Sequence, residues 1–252
     1  MANYKRSQAQ SCRHGRCKFV NTCMKTFIIR LEENEHSCCM AQECYDQAVV
    51  HGLQPEFFKA INGNDSAWHY EITGIKKAHK FKKNRLGVLG CFFSHYYLWL
   101  KCIEENTPFV ILEHDGFILK PFDSSILDTF EDVLKLDRLD PFSKSYEELI
   151  DQELNLPFSV TKYINLENKN PIKINTGNYF KGAYAYIIKP VAASKLIKYI
   201  KQYGHVPADQ QIGDWIVDTK TTVPSLARLH PYYAIGTNIK QSSLTRNLKG
   251  NN

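Results

Sequence analysis

Two carboxylates separated by one residue follow an apolar run in the first half of the chain. Residues 109–112 (FVIL) are typical of a buried strand, and Glu113, His114 and Asp115 come directly after them. Because side chains two apart along a strand point to the same side, we expect Glu113 and Asp115 to face one way and His114 the other. Neighbouring carboxylates repel each other unless a proton or a cation lies between them. The spacing therefore indicates a site for Mg²⁺ or Mn²⁺, which take oxygen ligands and substrate phosphates. A solvated turn is the alternative interpretation.

The elements that would position these acids alternate along the chain. Hydrophobic periodicity and turn residues predict strands and helices, with loops, short helices and a hairpin over 134–178. Strands are expected at 26–31, 56–61, 109–112 and 182–188, and helices at 34–52, 91–103, 190–203 and 207–217, the last with Asp209 as its N-cap. This order predicts an α/β fold with a mainly parallel sheet. Ligands of such sheets gather at the carboxyl ends of the strands, where Glu113 and Asp115 are expected.

Length and composition fit a globular protein. The chain has 252 residues, of which 43% are hydrophobic and 23% are charged. We expect one domain over 26–246, preceded by a basic, cysteine-containing extension over 1–25 and followed by a polar tail over 247–252. Because no long uninterrupted apolar segment and no secretory signal pattern is present, we expect a cytoplasmic protein without a transmembrane segment.

Cysteines and basic residues cluster unevenly. Cys12, His14, Cys17 and Cys23 could hold zinc, but they include no CxxC pair, so incidental thiols are favoured. The formal net charge is +6, and basic residues crowd the start of the chain and the segment 76–85. Such runs are typical of solvated surfaces. Their functional alternative is attraction to the phosphates of a sugar nucleotide, a nucleic acid or an anionic membrane.

Six short motifs occur in an order that matches a known family. They are FIIRL at 27–31, AING at 60–63, GCFFSH at 90–95, VILEHD at 110–115, GAYAYII at 182–188 and PAD at 207–209. Together the motifs resemble glycosyltransferase family 25, the lipopolysaccharide and collagen galactosyltransferase-like family, over about 26–246. The resemblance implies a GT-A-type Rossmann-like fold with a mainly parallel central sheet flanked by helices. It also implies a nucleotide-sugar donor such as a UDP-hexose (galactose or glucose), Mn²⁺ or Mg²⁺, and transfer with inversion. The acceptor would be a hydroxyl group on a glycan, a lipid-linked saccharide or a protein.

The resemblance also assigns roles to residues. Glu113 and Asp115 match the family's acidic metal motif, with His114 in place of its usual middle acid. Asp209 matches an acidic residue that is our first candidate for the catalytic base. Positions that match the family's donor-binding segments are Arg30, Leu31, Ala60, Asn62, Gly63, Ser94 and His95, and Glu113 lies beside them. For His95, a satisfied core histidine is the alternative interpretation.

Three further residues complete the predicted site. Asp214 is the second candidate for the base, because direct displacement needs one group to take the acceptor proton. His230, ahead of a proline, is a candidate third metal ligand. Arg246, in the polar tail, could clamp the diphosphate.

Two other classes of function remain open at this point. One is a nucleic-acid-binding protein that uses the basic runs, and a glycosyltransferase acting on DNA bases would combine both properties. The other is a sugar-nucleotide-binding module without turnover, against which the intact acidic pair argues.

Overall fold

The computed structural model describes residues 24–78, 85–164 except 142 and 144, and 178–230. The cluster from Cys12 to Cys23, the tail with Arg246 and most of the second basic run lie outside the described residues. The predicted limits of the extension, the domain and the tail therefore stay predictions.

A seven-stranded sheet forms the centre of the fold, in the order β2-β1-β3-β7-β5-β8-β6. Its pairings give five strands one direction, with β6 and β7 running the other way. A separate antiparallel pair, β4 and β9, lies beside it. This confirms the predicted mainly parallel α/β sheet. The strands are β1 (Lys25–Arg30), β2 (Gln54–Lys59), β3 (Phe109–Glu113), β4 (Gly116–Ile118), β5 (Val133–Lys135), β6 (Ser159–Lys162), β7 (Ala185–Ile188), β8 (Thr219–Val223) and β9 (Ala227–Leu229).

Helices cover both faces of the sheet. They are α1 (Glu35–Val50), α2 (Ser66–Thr73), α3 (Leu86–Glu105), α4 (Tyr146–Glu153), α5 (Pro190–Tyr203) and α6 (Ala208–Gln211). Alternate residues of β3 divide between two cores: Phe109 and Ile111 pack with α3 and α5, whereas Val110 and Leu112 pack with α1 and α4. This explains why β3 is apolar at consecutive positions, as a strand covered on both faces must be.

Local sequence signals set the ends of several helices. Asn34 caps α1 by accepting a hydrogen bond from the Ser37 amide at 2.8 Å, and Pro190 begins α5. Asn106 ends α3 in the left-handed conformation, with φ of 48°.

The prediction of a helix over 207–217 is wrong. Helix α6 is a single turn, and its N-cap is Pro207, so Asp209 lies inside the turn. The predicted hairpin in the middle of the chain is also not found within its described part, because β6 pairs with the later strand β8.

Helix α3 lies in the core and packs against α5. It is long and apolar enough to cross a membrane by length and composition alone, a test that a buried core helix also passes. Its buried side chains include Phe92, Phe93, Leu98 and Trp99, which pack in the core shared with α5.

Candidate functional site

The carboxyl ends of β1, β2 and β3 open onto one cavity of about 220 Å³. These three strands are parallel neighbours, so the segments that leave them meet at one edge of the sheet. Most of the predicted donor-binding residues line this cavity: Leu31, Ala60, Asn62, Gly63, Ser94, His95 and Glu113. The structure thus brings together four stretches that lie up to 82 positions apart in the sequence, from 31 to 113.

Two glycines let the segment after β2 lie directly on the first turns of α3. A Cβ on Gly63 would come within 1.9 Å of the Leu86 carbonyl oxygen, and one on Gly90 within 2.4 Å of the Ile61 carbonyl oxygen. Both neighbours are backbone atoms, so neither position accepts a side chain without moving the chain. These contacts form the wall of the cavity.

Ser94 holds that wall in place. Its hydroxyl accepts a hydrogen bond from the Ile61 amide at 2.8 Å and donates one to the Gly90 carbonyl at 2.8 Å. The side chain is fully buried. Because both of these bonds go to the protein's own backbone, Ser94 positions the loop.

His95 lies between the core and the cavity. Its Nδ1 is 2.8 Å from the Tyr186 hydroxyl, which also accepts a hydrogen bond from Trp99 Nε1 at 2.9 Å. Its Nε2 is 3.1 Å from Glu113 Oε1. The imidazole is therefore both a satisfied buried group and the partner that orients the Glu113 carboxylate.

The acidic pair differs from its predicted geometry. Strand β3 ends at Glu113, and His114 and Asp115 form a turn, so the two-residue period of the strand does not extend to them. His114, which was expected to face away, lines the cavity together with Glu113. The expectation was wrong because a strand's alternation ends where its backbone turns.

Burial and neighbouring charges shift the pKa values of the two carboxylates in opposite directions. Burial raises the pKa of Asp115 to about 6, and the Glu113 charge adds to this while the His114 charge opposes it. For Glu113, burial also pushes the pKa upward, but the hydrogen bond and charge of His95 and the charge of His114 outweigh it and lower the pKa. Among the described residues, Asp115 Oδ1 is buried without a hydrogen-bond partner. A buried, unsatisfied carboxylate oxygen beside a second carboxylate fits a hard divalent cation.

His230 reaches the acidic turn through its backbone. Its amide donates to the Asp115 carbonyl oxygen at 2.8 Å, while its Nε2 lies 3.0 Å from Glu43 Oε2. The imidazole also contacts the Phe117 ring. The structure thus places the predicted third ligand next to the turn, with its ring against α1.

The two candidate bases lie in different surroundings. Asp209 is half-buried and accepts hydrogen bonds from the Gln210 amide at 2.8 Å and the Gly182 amide at 3.4 Å. Burial raises the pKa of Asp209 to about 6, and the Glu113 charge contributes. Asp214 instead accepts a hydrogen bond from Asn178 Nδ2 at 3.4 Å. Asp209 is therefore the one that shares the electrostatic environment of the cavity.

Arg30 is not brought to the cavity. Its guanidinium lies 3.9 Å from the centre of the Phe57 ring, whereas Ile29 and Leu31 line the cavity. The alternation of β1 explains this, because Arg30 projects to the opposite face of the sheet.

The predicted site omitted Cys91 and Tyr186. Cys91 lines the cavity, with its Sγ 3.7 Å from Glu113 Oε1. Burial raises the pKa of the Cys91 thiol well above its usual value, and the Glu113 and Asp209 charges add to this. A signal for Cys91 was present in the sequence, since it lies four residues before His95 on one face of a helix. Tyr186 gave no such signal, because it joins His95 only through the pairing of β3 with β7.

Comparison with known proteins assigns the chain to a family. The model of the family described as Glycosyltransferase family 25 (LPS biosynthesis protein) matches residues 24–212. The chain belongs to glycosyltransferase family 25. All six motifs that carried the resemblance lie within the matched residues, so the predicted family is confirmed.

Individual relatives of this family 25 chain match shorter parts. A Haemophilus influenzae protein named lipooligosaccharide biosynthesis protein lic2B is 26% identical over 58% of this chain and 53% of its own length. A glycosyltransferase 25 family member from Aedes aegypti is 33% identical over 28% of this chain and 13% of its own length. A putative glycosyltransferase of Acanthamoeba polyphaga mimivirus is 30% identical over 36% of this chain and 28% of its own length. The matches thus span about half or less of these relatives. Among solved structures, the apo form of mouse xyloside xylosyltransferase 1 overlaps 75% of this chain at 10% identity, with a TM-score of 0.36.

Proposed function

We propose that this chain transfers a hexose from a nucleotide-sugar donor to a hydroxyl group of an acceptor. One observation carries the proposal: the ends of three parallel strands meet at a cavity lined by Glu113, and two residues further on Asp115 has an oxygen that is buried without a hydrogen-bond partner among the described residues. A nucleotide diphosphate has the negative charge and the oxygens that such a site would bind through a cation. Membership of family 25 supports the same reaction class.

Glu113 and Asp115 would hold Mn²⁺ or Mg²⁺, with His230 as a candidate third ligand. When bound, such a cation neutralises the charge that develops on a departing diphosphate. The buried His95 imidazole holds the Glu113 carboxylate in place through the 3.1 Å contact between Nε2 and Oε1. His114, on the cavity wall, adds a further group that can meet a phosphate.

Asp209 is the proposed base for transfer with inversion. Inversion by direct displacement needs one group that takes the acceptor hydroxyl proton as the sugar moves. A half-buried carboxylate whose pKa is raised to about 6 is deprotonated at neutral pH and is a stronger proton acceptor than an exposed aspartate. Two backbone amides hold its oxygens in place.

The finer assignments follow from the family and its relatives. We propose a UDP-hexose donor, with galactose or glucose as the sugar, and a glycan, lipid-linked saccharide or protein acceptor. The name of the Haemophilus relative, a lipooligosaccharide biosynthesis protein, favours a saccharide acceptor. We propose a cytoplasmic location, where nucleotide sugars are made.

Donor turnover tests the proposal. The purified chain is incubated with Mn²⁺ or Mg²⁺, a panel of nucleotide sugars and short saccharide acceptors, and the released nucleoside diphosphate is measured. We expect cation-dependent release with at least one UDP-hexose. We expect Asp209→Asn to lose most of it, whereas Asp128→Asn, a change in an exposed acid of the 3₁₀ turn Ser124–Thr129, retains it. The absence of release with every donor would refute the enzyme proposal.

A further inference from the structure

Three chemically different ligand groups converge on the inner wall of the cavity. They are the Cys91 thiol, the His95 imidazole and the Glu113 carboxylate, whose ligand atoms all lie within 4.8 Å of one another. Glu113 Oε1 faces both of the others, at 3.1 Å from His95 Nε2 and 3.7 Å from Cys91 Sγ. This set differs from the proposed pair of acids, because it contains a thiol and an imidazole and shares only Glu113 with that pair.

The backbone fixes this geometry. Cys91 and His95 are four residues apart on α3, so their side chains lie on one face of the same helix. Glu113 is the last residue of β3, the strand that pairs with β1 and β7 at the centre of the sheet. All three groups therefore project from rigid elements, which is what a metal site needs in order to be formed before the ion arrives.

The other ring nitrogen of His95, Nδ1, also has a hydrogen-bond partner. Histidine ligands of metals characteristically hydrogen-bond through the ring nitrogen that does not bind the ion, and this contact orients the ring. His95 Nδ1 lies 2.8 Å from the Tyr186 hydroxyl, which Trp99 Nε1 holds at 2.9 Å. Nε2 is thereby turned towards Cys91 and Glu113. Both Tyr186 and Trp99 are fully buried, so this support does not depend on the surface.

The ligand types fit zinc better than a hard cation, and the spacing is compatible with zinc. Zinc bonds of about 2.0–2.3 Å in tetrahedral geometry place ligand atoms about 3.3–3.8 Å apart. The distances of 3.1 Å and 3.7 Å lie at or near that range. Thiolate and imidazole favour Zn²⁺, whereas Mg²⁺ and Mn²⁺ prefer all-oxygen surroundings.

We propose that Cys91, His95 and Glu113 form a binding site for Zn²⁺ or a similarly thiophilic divalent ion, with the fourth position open to the cavity. On binding, the Cys91 thiol gives up its proton to solvent and the thiolate coordinates the ion. The site does not require that the chain transfers sugar. The site shares Glu113 with the proposed hard-cation site of Glu113 and Asp115. Zinc would thus compete for the carboxylate that the proposed reaction needs.

Equilibrium dialysis of the full chain against ⁶⁵Zn²⁺ tests the site in a background that lacks the three cysteines of the cluster near the start of the chain. The background carries Cys12→Ser, Cys17→Ser and Cys23→Ser. In it, we compare Cys91→Ser with the matched control Cys39→Ser, a change in an exposed cysteine of α1. We expect one bound ion per chain whose affinity falls at least about 100-fold in Cys91→Ser, more than the loss of an outer contact causes, and is unchanged in Cys39→Ser. Equal zinc affinity in Cys91→Ser and its parent would overturn the proposal.

A second measurement needs no substitution. The unaltered chain is treated with iodoacetamide with and without Zn²⁺, and alkylation at each cysteine is followed by mass spectrometry. We expect Zn²⁺ to slow the alkylation of Cys91 at least tenfold while Cys39 reacts as before. An unchanged rate at Cys91 would mean that the three groups only hydrogen-bond to one another, and would also overturn the proposal. Because both measurements report binding, a failure here is distinguishable from a failure of the proposed transfer.

Discussion

Two carboxylates of this chain, the fully buried Asp137 and the half-buried Asp115, have opposite surroundings. Asp137 accepts four hydrogen bonds, from the Tyr146 and Tyr184 hydroxyls, the Ser225 hydroxyl and the Leu139 amide. Asp115 Oδ1 accepts none from the described residues. Buried polar groups are almost always paired, so an unpaired one has been kept for a reason other than stability. The first carboxylate therefore supports the fold, whereas the second is available to a ligand.

The largest effect is expected from Asp137→Ala. The substitution leaves two buried tyrosine hydroxyls and the Leu139 amide without their acceptor, which costs about 3–5 kcal/mol of unfolding free energy. Urea unfolding at pH 7 measures it, with Asp128→Ala at an exposed position as the control. A loss below about 1 kcal/mol would contradict the view that this network holds the fold.

Asp115→Asn should act in the opposite way. Without its carboxylate the cation site is incomplete, so we expect donor turnover to fall about 10²–10³-fold. The unfolding free energy should stay the same or rise, since the change removes a buried negative charge that lies beside Glu113. Turnover and urea unfolding are measured on the same preparation. Full turnover, or a destabilisation as large as that of Asp137→Ala, would remove the distinction between the two carboxylates.

His205 extends the comparison to a buried base. It stacks on Phe92 at 3.9 Å, and its Nε2 is 2.5 Å from the Tyr70 hydroxyl. Burial lowers the pKa of His205 to about 4, from 6.5 in the unfolded chain. Between these values the unfolded chain binds a proton that the folded chain does not, so the stability contributed at neutral pH is lost as the pH falls from about 6.5 to 4.

The expected loss from His205 is about 2 kcal/mol between pH 7 and pH 5. Urea unfolding at both values, for the parent chain and for His205→Gln, isolates this contribution from that of the carboxyl groups. The variant should show a shallower fall in stability over the interval. Identical pH dependence in the two chains would mean that His205 is not a neutral core residue.

The smallest effect is expected from Ser94→Ala. It leaves the half-buried Ile61 amide without the acceptor that fixes the cavity wall, which costs about 1 kcal/mol. The Michaelis constant for the donor should rise more than kcat falls, because Ser94 positions the wall and touches no reacting group. Ser194→Ala is the control, since Ser194 on α5 donates to the carbonyl four residues earlier at an exposed position. A fall in kcat alone would contradict a positioning role.

The fold was largely predictable because its elements have strong local signals. The consecutive apolar residues of β3, the cap Asn34 and Pro190 at the start of α5 each reflect a requirement of the element itself. The predictions failed at the ends of the elements, where these local signals no longer apply. The strand period could not place His114, which lies past the last residue of β3, and Pro207 begins a helix that stops after one turn.

The candidate site was predictable in part, through short motifs that the family shares. The motifs identified the cavity wall at Gly63 and Ser94, and the structure brings these residues together. Arg30 does not line the cavity, which the motif could not indicate because a motif does not tell which face of a strand a residue takes. The network of Asp137 left no sequence signal, since two of its partners, Tyr184 and Ser225, lie 47 and 88 positions away.

Helix α3 forms part of the cavity wall with one set of residues and part of the core with another. Ser94 and His95 face the ligand side, and Phe93 and Trp99 fill the interior within the same turns. A substitution on one side of this helix therefore disturbs the packing on the other side, which limits the substitutions that the helix can accept. We expect donor and acceptor preferences to diversify among relatives through the surrounding loops, while α3 itself varies little.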